Sequence, residues 1–380
     1  MSVLPLIAAL MASFGVHASP GTYTLGDISF PLNSTETVPA GEVEAIESTS
    51  QLFDRFFAQH YAKPTEDKST GLTIHGTRRG VHPRAHGCLY GSLEVDSGIW
   101  EMDQTSVFKP GKIYPIIARF SNADPRGSAD DFAPDSRGFA FKIQGVEGDR
   151  VLPSQYDPEI DSQVFTFNSS DRFFANNAEN YRKFMNIALF ESKNFSEAAT
   201  QFVLGLVKEL DLSLANRIRL AFQGIRDVKV SNVLGINFFS ISARMHGTKP
   251  GAHTAKYAAL PCEGAWYNKK EVDSKNPFYL RKNLKERMAK QDACFVFAIQ
   301  RNPENSWDVE DLTRRWDPDV APFERIALIR FPRQELMDDS RCERETFNPW
   351  TTVTDHRPLG GINRMRLGSY LHSIRRRQGR

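Results

Sequence analysis

HGCLYGSLEV, residues 86–95, is the first of several short apolar runs that decide the fold class of this chain. The runs that follow it are IYPIIARF (113–120), GFAFKI (138–143) and VFTF (164–167). In the first run, every second residue from Leu89 to Val95 is small or apolar. Alternation with a period of two over this length is typical of β-strands with at least one buried face. We therefore expect a sheet in this part of the chain.

The middle of the chain has a different period. In EAATQFVLGLVKEL (197–210) and LSLANRIRLAF (212–222) apolar residues recur three and four apart, which predicts helices within 171–225. Strand patterns then return. The later strand candidates are NFFSISAR (237–244), where Phe239, Ile241 and Ala243 share one face, CFVFAIQ (294–300) and RIALIRF (325–331). Because strands and helices do not alternate one by one, we predict an α+β domain with an antiparallel sheet or β-barrel, not a doubly wound parallel sheet.

Composition excludes several classes of protein. The 380 residues are 40% hydrophobic and 25% charged, which is ordinary for a globular chain and excludes a disordered or collagen-like one. The formal net charge of +2 gives no field to attract nucleic acid, so we expect no nucleic-acid partner. None of the four cysteines stands in a CxxC pair, which argues against a zinc ribbon or a thioredoxin-type motif. Four cysteines allow three full disulfide connectivities, and the sequence does not choose among them.

The first 18 residues are typical of a secretory signal peptide. Their apolar run is too short to span a bilayer and is followed by Val16 and Ala18 at the spacing of a cleavage site. The run carries no Lys or Arg, so a core-packing helix is the alternative. We predict export to the periplasm or the medium, with a cytoplasmic location otherwise, and no stable membrane insertion. Residues 19–62 are predicted to form an irregular arm to residue 45 and a helix from 46 to 62.

Two pairs of residues could carry chemistry. His82 and His86 in VHPRAHG are four apart, which would suit a shared zinc ion on a helix. Pro83 and Gly87 restrict a helix there, and the Glu of an HExxH motif is missing. Arg366 and Tyr370 in RLGSY are also four apart and would lie one above the other on a helix. A guanidinium beside a phenol favours the phenolate, which is a suitable ligand for ferric iron.

The order of three segments resembles a known family. RRGVHPRAHGCLYGSLEV (78–95), ARFSNADPRGSADDFAPDSRGFAFKI (118–143) and RLGSYLHSIRRR (366–377) are similar to the haem catalases, and in character most to the short catalase-related peroxidases. The resemblance covers roughly residues 75–170 and 345–378. It implies haem b as cofactor and a catalase-like antiparallel barrel over 63–380, with a helical insertion and C-terminal helices around the haem pocket.

The resemblance also implies roles for individual residues. Tyr370 would be the proximal phenolate that ligates iron, and Arg366 the cation that keeps it ionised. His82 would be the distal base, and Ser121 would orient its imidazole. The haem propionates would be held by Arg79, Arg119 and Arg377. Aromatic walls for the porphyrin would come from Phe165, Phe167, Phe173 and Phe174.

The chain departs from the family pattern at two places. One extra residue stands between His82 and the strand GSLEV, so His86 is the alternative distal residue. The family's distal asparagine has no counterpart in EIDSQVFTF (159–167), where Gln163 is the only amide, and we take Gln163 as its replacement. Asparagines of N-x-S/T sequons, which matter only in a host that glycosylates exported proteins, stand at positions 33, 168 and 194.

The expected function is that of a haem-dependent hydroperoxidase. Hydrogen peroxide or an organic hydroperoxide would be reduced through a ferryl intermediate, with electrons from a small donor. The alternatives are a fatty-acid hydroperoxide-rearranging enzyme of the same fold, a haem-binding protein without turnover, and a zinc protein built on His82 and His86. The resemblance leaves a homo-oligomer possible, and the sequence does not fix its size.

Overall fold

The computed structural model describes residues 21–61, 63–74, 78–127, 130–248 and 252–378. The predicted signal peptide, residues 1–18, lies outside these ranges. Residues 21–34 belong to a unit of their own, a hairpin of β1 (Thr22–Leu25) and β2 (Ile28–Pro31) turned at Gly26, whose φ of 58° suits glycine. The second unit contains residues 35–378.

The second unit is built on a closed barrel. Eight strands pair antiparallel in the order β5-β6-β7-β8-β9-β11-β12-β13, and β13 pairs back onto β5. Their bounds are β5 (Ala85–Val95), β6 (Ile113–Asn122), β7 (Arg137–Gln144), β8 (Ser162–Asn168), β9 (Phe238–Phe239), β11 (His253–Pro261), β12 (Ala293–Arg301) and β13 (Glu324–Phe331). A short β10 (Arg244–His246) adds to β11, and β3 (Thr65–Asp67) pairs with β4 (Leu72–Ile74) apart from the barrel. The predicted α+β fold with an antiparallel barrel is therefore confirmed.

Helices cover the barrel and connect its strands. In the described part of the chain they are α1 (Glu42–His60), α2 (Ala178–Asn186), α3 (Phe195–Lys208), α4 (Leu212–Asp227), α5 (Tyr279–Met288), α6 (Asp339–Arg344) and α7 (Gly361–Arg377). A π-helical turn, Ile187–Glu191, follows α2 directly. Among the described residues, no helix combines the length and the apolar composition needed to cross a bilayer.

The barrel interior is filled by aromatic rings. Phe120 on β6 and Phe139 on β7 stack with their centroids 4.8 Å apart, and both side chains are buried. Phe165 and Phe297, from β8 and β12, continue this core in edge-to-face contact. Each ring occupies every second position of its strand, so the intervening residues point outward. This parity decides which residues of β6, β7 and β8 can reach a site outside the barrel.

Two sequence-based boundaries differ from the structure. Helix α1 begins at Glu42 and not at 46, because Glu42 and Glu44 favour the first turn of a helix, and it ends at His60. The strand predicted over 237–244 forms only in part, since β9 stops at Phe239 and Ile241 takes a left-handed φ of 55°. A β-branched residue in that conformation interrupts a strand.

All four cysteines are paired. The disulfides join Cys88 to Cys342 and Cys262 to Cys294, with Cα atoms 5.6 Å apart in both pairs. Of the three connectivities open to the sequence, this is the one the structure has. Cys88–Cys342 links β5 to α6 over a separation of 254 residues.

Candidate active site

A cavity with about 1720 Å³ of space free of protein atoms, its open mouth included, lies against the outer face of β6, β7 and β8. The C-terminal helix α7, helices α1 to α4 and the segment before β5 complete its wall. The structure brings eight of the nine predicted site residues to this cavity: Arg79, His82, Arg119, Ser121, Phe174, Arg366, Tyr370 and Arg377. Residues nearly 300 positions apart in sequence therefore line one space.

His82 lies on the segment that leads into β5. Its backbone φ of 58° is left-handed, and its N–H donates to the carbonyl of Ala123 at 3.4 Å. Nδ1 lies 3.1 Å from the Ser121 hydroxyl, while Nε2 makes no hydrogen bond among the described residues. Burial, reinforced by the guanidinium groups of Arg119, Arg366 and Arg79, lowers the pKa of His82 to about 3. The imidazole is therefore neutral at ordinary pH and can accept a proton.

A row of three residues on neighbouring strands supports the His82 ring. Ser121 on β6 is in register with Gly138 on β7, and Gly138 with Asn168 on β8. A Cβ at Gly138 would stand 2.4 Å from Nδ1 of His82, so only glycine leaves room for the imidazole. Directly opposed residues of antiparallel strands face the same side. Hence the Asn168 side chain emerges on the side that the His82 ring occupies.

The exchange Gly138→Ala is expected to displace the His82 imidazole from its contact with Ser121, because a Cβ at position 138 would overlap the ring. The fold should persist, because a rotated imidazole can leave room for one methyl group. The measurement is the NMR resonance of the His82 imidazole. Gly98→Ala is the matched control, since nothing lies within 4 Å of a Cβ built there. An unchanged His82 resonance in Gly138→Ala would contradict the positioning role.

Tyr370 and Arg366 occupy successive turns of α7 and both face the cavity. The guanidinium carbon of Arg366 lies 5.5 Å from the centroid of the Tyr370 ring. Arg366 donates to Asn363 Oδ1 at 3.1 Å and also to the hydroxyl of Thr166 on β8. These two partners fix the guanidinium between the helix and the barrel. The predicted helical pairing of Arg366 with Tyr370 is therefore present.

A buried ionic network anchors the first turns of α7. Arg364, with no exposed side-chain surface, donates to Glu42 Oε1 at 2.7 Å, Glu310 Oε2 at 2.9 Å and Glu36 Oε1 at 3.0 Å. Three carboxylates from distant parts of the chain thus hold one guanidinium. Because Arg364 precedes Arg366 by two residues, this network fixes the part of α7 that presents the site.

Three arginines form a cationic cluster on the cavity wall. Arg79, Arg119 and Arg377 each have a buried Nε without a hydrogen-bond partner among the described residues. One carboxylate, that of Glu343, stands 3.7 Å from Arg79 Nε, and Arg119 and Arg377 form no ion pair within the described chain. Burial and the neighbouring Arg79 lower the pKa of both Arg119 and Arg377. Mutually repelling cations with free donors are suited to bind an anion.

The structure corrects the assignment of Gln163. This residue does not line the cavity, and its side chain is fully buried. Its Oε1 accepts from Thr352 Oγ1 at 2.9 Å and from the N–H of Val353 at 3.1 Å. Gln163 and Phe165 lie on the inward face of β8 in its first part and do not line the cavity, which β8 reaches only from Thr166 to Asn168. Phe167, Phe173 and Phe174 do line it.

Asn168 is an amide at the cavity that the sequence pattern alone does not identify. It lines the cavity two residues beyond Thr166, on the outward face of β8. Its sequence context marks it only as the asparagine of an N-x-S/T sequon. The parity of Phe165 and Phe167 would have indicated that Thr166 and Asn168 point outward, once the phenylalanines were assigned to the core.

Two further polar residues of the cavity wall, Asp135 and Ser136, were also missed. Asp135 Oδ1 and Ser136 Oγ are buried and have no hydrogen-bond partner within the described ranges. Asp135 Oδ2 accepts from the N–H groups of Ala123 and Asp124 at 3.0 and 3.1 Å. Burial raises the pKa of Asp135 to about 6 in spite of the neighbouring Arg137. A polar substrate could therefore hydrogen-bond to this part of the wall.

His86 is separated from the site. It does not line the cavity, and its Nε2 lies 2.9 Å from Asn122 Oδ1 in the buried interior. His82 and His86 form no metal-ligating group with other described residues, so the zinc alternative finds no support. The one such group in the described structure is Asp103, His246 and His253, where Arg301 already neutralises the Asp103 carboxylate.

Comparisons with known proteins agree with this architecture. The sequence profile of the catalase family matches residues 76–152, which include the His82 segment and strands β5 to β7. A catalase of Schizosaccharomyces pombe is 22% identical over 284 residues, covering 71% of this chain and 52% of that protein. The peroxisomal catalase of Toxoplasma gondii is 24% identical over 334 residues, covering 79% and 59% respectively.

Solved structures show the same fold. Catalase A from Saccharomyces cerevisiae superposes with a TM-score of 0.64 at 20% identity, covering 79% of this chain and 61% of that one. A fungal catalase gives a TM-score of 0.65 at 20% identity, covering 83% and 65%. The closed antiparallel barrel, with its cavity between the outer face of the sheet and α7, defines a catalase-type fold. The profile match, the two catalase relatives and the shared fold together support a relationship of this chain to the haem catalase superfamily. The chain spans between half and three fifths of the length of the curated relatives it matches.

Proposed function

We propose that this chain is a haem-dependent hydroperoxidase that acts on hydrogen peroxide or an organic hydroperoxide. The observation that carries the proposal is the cationic cluster: three guanidinium groups with free buried donors at a cavity that also holds His82 and Tyr370. A planar apolar group with carboxylates at one edge fits this donor set, since guanidinium pairs with carboxylate in a bidentate manner. Haem b has these properties.

The residues that would hold haem follow from their chemistry. The Tyr370 oxygen is the ligand for iron, and Arg366 balances the negative charge of the phenolate. Arg79, Arg119 and Arg377 bind the propionates. Bound haem supplies the redox-active iron at which a peroxide bond can be cleaved.

The other cavity residues handle protons and orientation. Neutral His82, with its Nδ1–H donating to Ser121, offers Nε2 as the base that takes the proton from one peroxide oxygen and returns it to the other. The Asn168 amide donates to the peroxide oxygen and keeps the substrate beside His82. Asp135 and Ser136 bind the polar end of the substrate on its way to that position. A small reducing donor, not identified by these contacts, returns the electrons.

A second candidate function is supported by the helical wall of the cavity. The six side chains contributed by 178–227 are apolar or aromatic: Tyr181, Phe184, Met185, Ala188, Phe195 and Ile225. Hydrogen peroxide gains nothing from such a wall, whereas a hydrocarbon tail does. A hydroperoxide with an apolar chain, reduced or rearranged, is therefore the alternative substrate.

The test is reconstitution of the purified chain with haem b, followed by absorbance spectroscopy and turnover. A Soret band and peroxide-dependent oxidation of a small donor are expected. Comparing hydrogen peroxide with a fatty-acid hydroperoxide separates the two candidates, since a strong preference for the lipid substrate favours the second. A haem complex that reacts with neither would identify a non-catalytic haem protein. A chain that binds zinc and no haem would refute both candidates.

The pH profile provides a further prediction. Because the pKa of His82 is lowered to about 3 from its ordinary value of 6.5, the imidazole should not limit turnover between about pH 8 and pH 4.5. Asp135, whose pKa is raised to about 6, is the cavity group that titrates within this range. We expect turnover to fall below about pH 6 as Asp135 is protonated, and this fall should be absent in Asp135→Asn. A second fall in turnover is expected as the pH approaches 3 and His82 is protonated. An acid limb that persists unchanged in Asp135→Asn would contradict this assignment.

We also propose that the protein is exported and that it assembles into a homo-oligomer. Two disulfides and a leader-like first segment suit an oxidising compartment. Mass spectrometry of the protein secreted by its host would detect cleavage after residue 18. We expect a homo-oligomer, which light scattering would measure.

A further inference from the structure

The cationic cluster depends on a short helix that is tied to the barrel. Arg79 Nη2 donates to the carbonyl of Glu343 at 2.8 Å and to that of Glu345 at 2.6 Å. Arg377 Nη1 donates to the same Glu343 carbonyl at 2.9 Å. These carbonyls belong to the last turn and the C-cap of α6, where a helix leaves acceptors unsatisfied and favours cations. Two arginines 298 positions apart are thus oriented by one helix end.

Helix α6 has only six residues and is too short to be stable by itself. Ion pairs of Asp339 with Arg281 and of Glu345 with Lys142 hold its two ends, and two contacts with one strand residue join it to β5. The Met337 N–H donates to the Cys88 carbonyl at 3.0 Å, and Cys342 within α6 forms a disulfide with Cys88. Both cysteines are buried, with exposures of 0% and 2%.

The strand side of this link also belongs to the cluster. Cys88 on β5 stands directly opposite Arg119 on β6. Cys88 therefore lies beside Arg119. Cys342 directly precedes Glu343 in the chain, and the Glu343 carbonyl orients Arg79 and Arg377. The Cys88–Cys342 disulfide thus connects the strand residue beside Arg119 with the helix that orients Arg79 and Arg377. The segment continues to Phe347, which packs in the same apolar cluster as both cysteines and lines the cavity.

We propose that the Cys88–Cys342 disulfide is a positioning element of the carboxylate-binding site. It holds α6 so that its carbonyls fix Arg79 and Arg377 beside Arg119, at the geometry that binds the two carboxylates of the haem. This proposal rests on the proposed function, and it adds that retention of the cofactor depends on a covalent bond outside the cavity. The second disulfide, Cys262–Cys294, joins β12 to the turn after β11 and has no residue in the cavity wall.

The test compares two double variants, Cys88→Ala/Cys342→Ala and Cys262→Ala/Cys294→Ala, in the full chain loaded with haem b. The measured quantity is the rate of haem transfer to excess apomyoglobin, followed by absorbance. We expect about tenfold faster loss from the first variant, the effect of weakening one charge-assisted contact, and a change within about twofold for the second. Equal rates in the two variants would overturn the proposal.

A second probe separates positioning from general destabilisation. Haem dimethyl ester has no carboxylates, so its loss should be equally fast from the wild-type chain and from Cys88→Ala/Cys342→Ala. A difference that persists with the ester would mean that the disulfide acts by another route, and the proposal would fail. A wild-type chain that takes up no haem would refute the proposed function as well, which distinguishes the two failures.

If the first double variant is not recovered folded, a milder change probes the same helix. The exposed Asp338 caps α6 by accepting from the N–H of Arg341 at 3.0 Å. Asp338→Ala should speed the loss of haem b about threefold, as expected for the loss of one cap. Its control is Asp211→Ala, which removes the corresponding cap of α4, where the side chain accepts from Leu214 at 3.1 Å. Identical rates in these two variants would reject the role of α6.

Discussion

Tyr370→Phe is expected to lower the affinity of the chain for haem b by more than about 100-fold, since loss of a group that merely supports a metal ligand already weakens binding about 10- to 100-fold. The phenyl ring retains the apolar contacts of the cavity wall but has no oxygen to ligate iron. The polypeptide should stay folded, because the Arg364 network and not Tyr370 anchors α7. Titration of the purified variant with haem b, followed at the Soret band, measures the loss.

The cavity itself offers the matched control. Tyr181 also lines it, and its ring stacks on Phe173 with centroids 6.0 Å apart. Burial raises the pKa of Tyr181, so this phenol stays protonated and is a poor ligand. Tyr181→Phe removes the same atom from the same cavity and should leave the Soret band and the affinity nearly unchanged. A Soret band that is unchanged in Tyr370→Phe but altered in Tyr181→Phe would transfer the ligand assignment to Tyr181.

The local sequence pattern was sufficient to predict the antiparallel barrel and the placement of Arg366 and Tyr370 on one helix face. The period of two in 86–95 and 138–143 reflects burial of one strand face, and that burial is what drives the sheet to close. The spacing of four between Arg366 and Tyr370 places them on one helix face in any helix. Both features depend on neighbours in sequence, which is why the sequence predicts them.

Contacts between residues that are distant in sequence could not be predicted from local patterns. Nothing near Gly138 in sequence indicates that its missing side chain makes room for His82, because the two meet only when β6 and β7 pair. The Arg79 contact with the end of α6 likewise joins residues 264 positions apart. The error at Gln163 has another origin, since the residue was chosen only because it carries an amide. Gln163 and Asn168 are five positions apart on β8 and therefore lie on opposite faces of the strand.

The last prediction concerns the two histidines that the sequence could not separate. His86 is buried and His82 is half-buried at the cavity wall, and the loss of hydration is the main cause that lowers the pKa of each to about 3. The pKa values therefore do not distinguish the two histidines, but their positions relative to the cavity do. His82 has a free Nε2 at the cavity, whereas His86 Nε2 lies 2.9 Å from Asn122 Oδ1, away from the cavity wall.

His82→Ala should accordingly leave haem uptake intact and lower turnover per haem by about 100- to 10,000-fold, the contribution of a positioned general base. His86→Ala should instead remove one of two hydrogen bonds to Asn122 Oδ1, the other coming from Arg137, and lower the free energy of unfolding by about 0.5–1.5 kcal/mol. Its turnover per haem should change by less than about tenfold. Parallel measurements of turnover and of denaturant unfolding on both variants separate these effects. If His86→Ala lost more turnover than His82→Ala while retaining its haem, the base would have to be His86, acting from a conformation in which the Asn122 contact is broken.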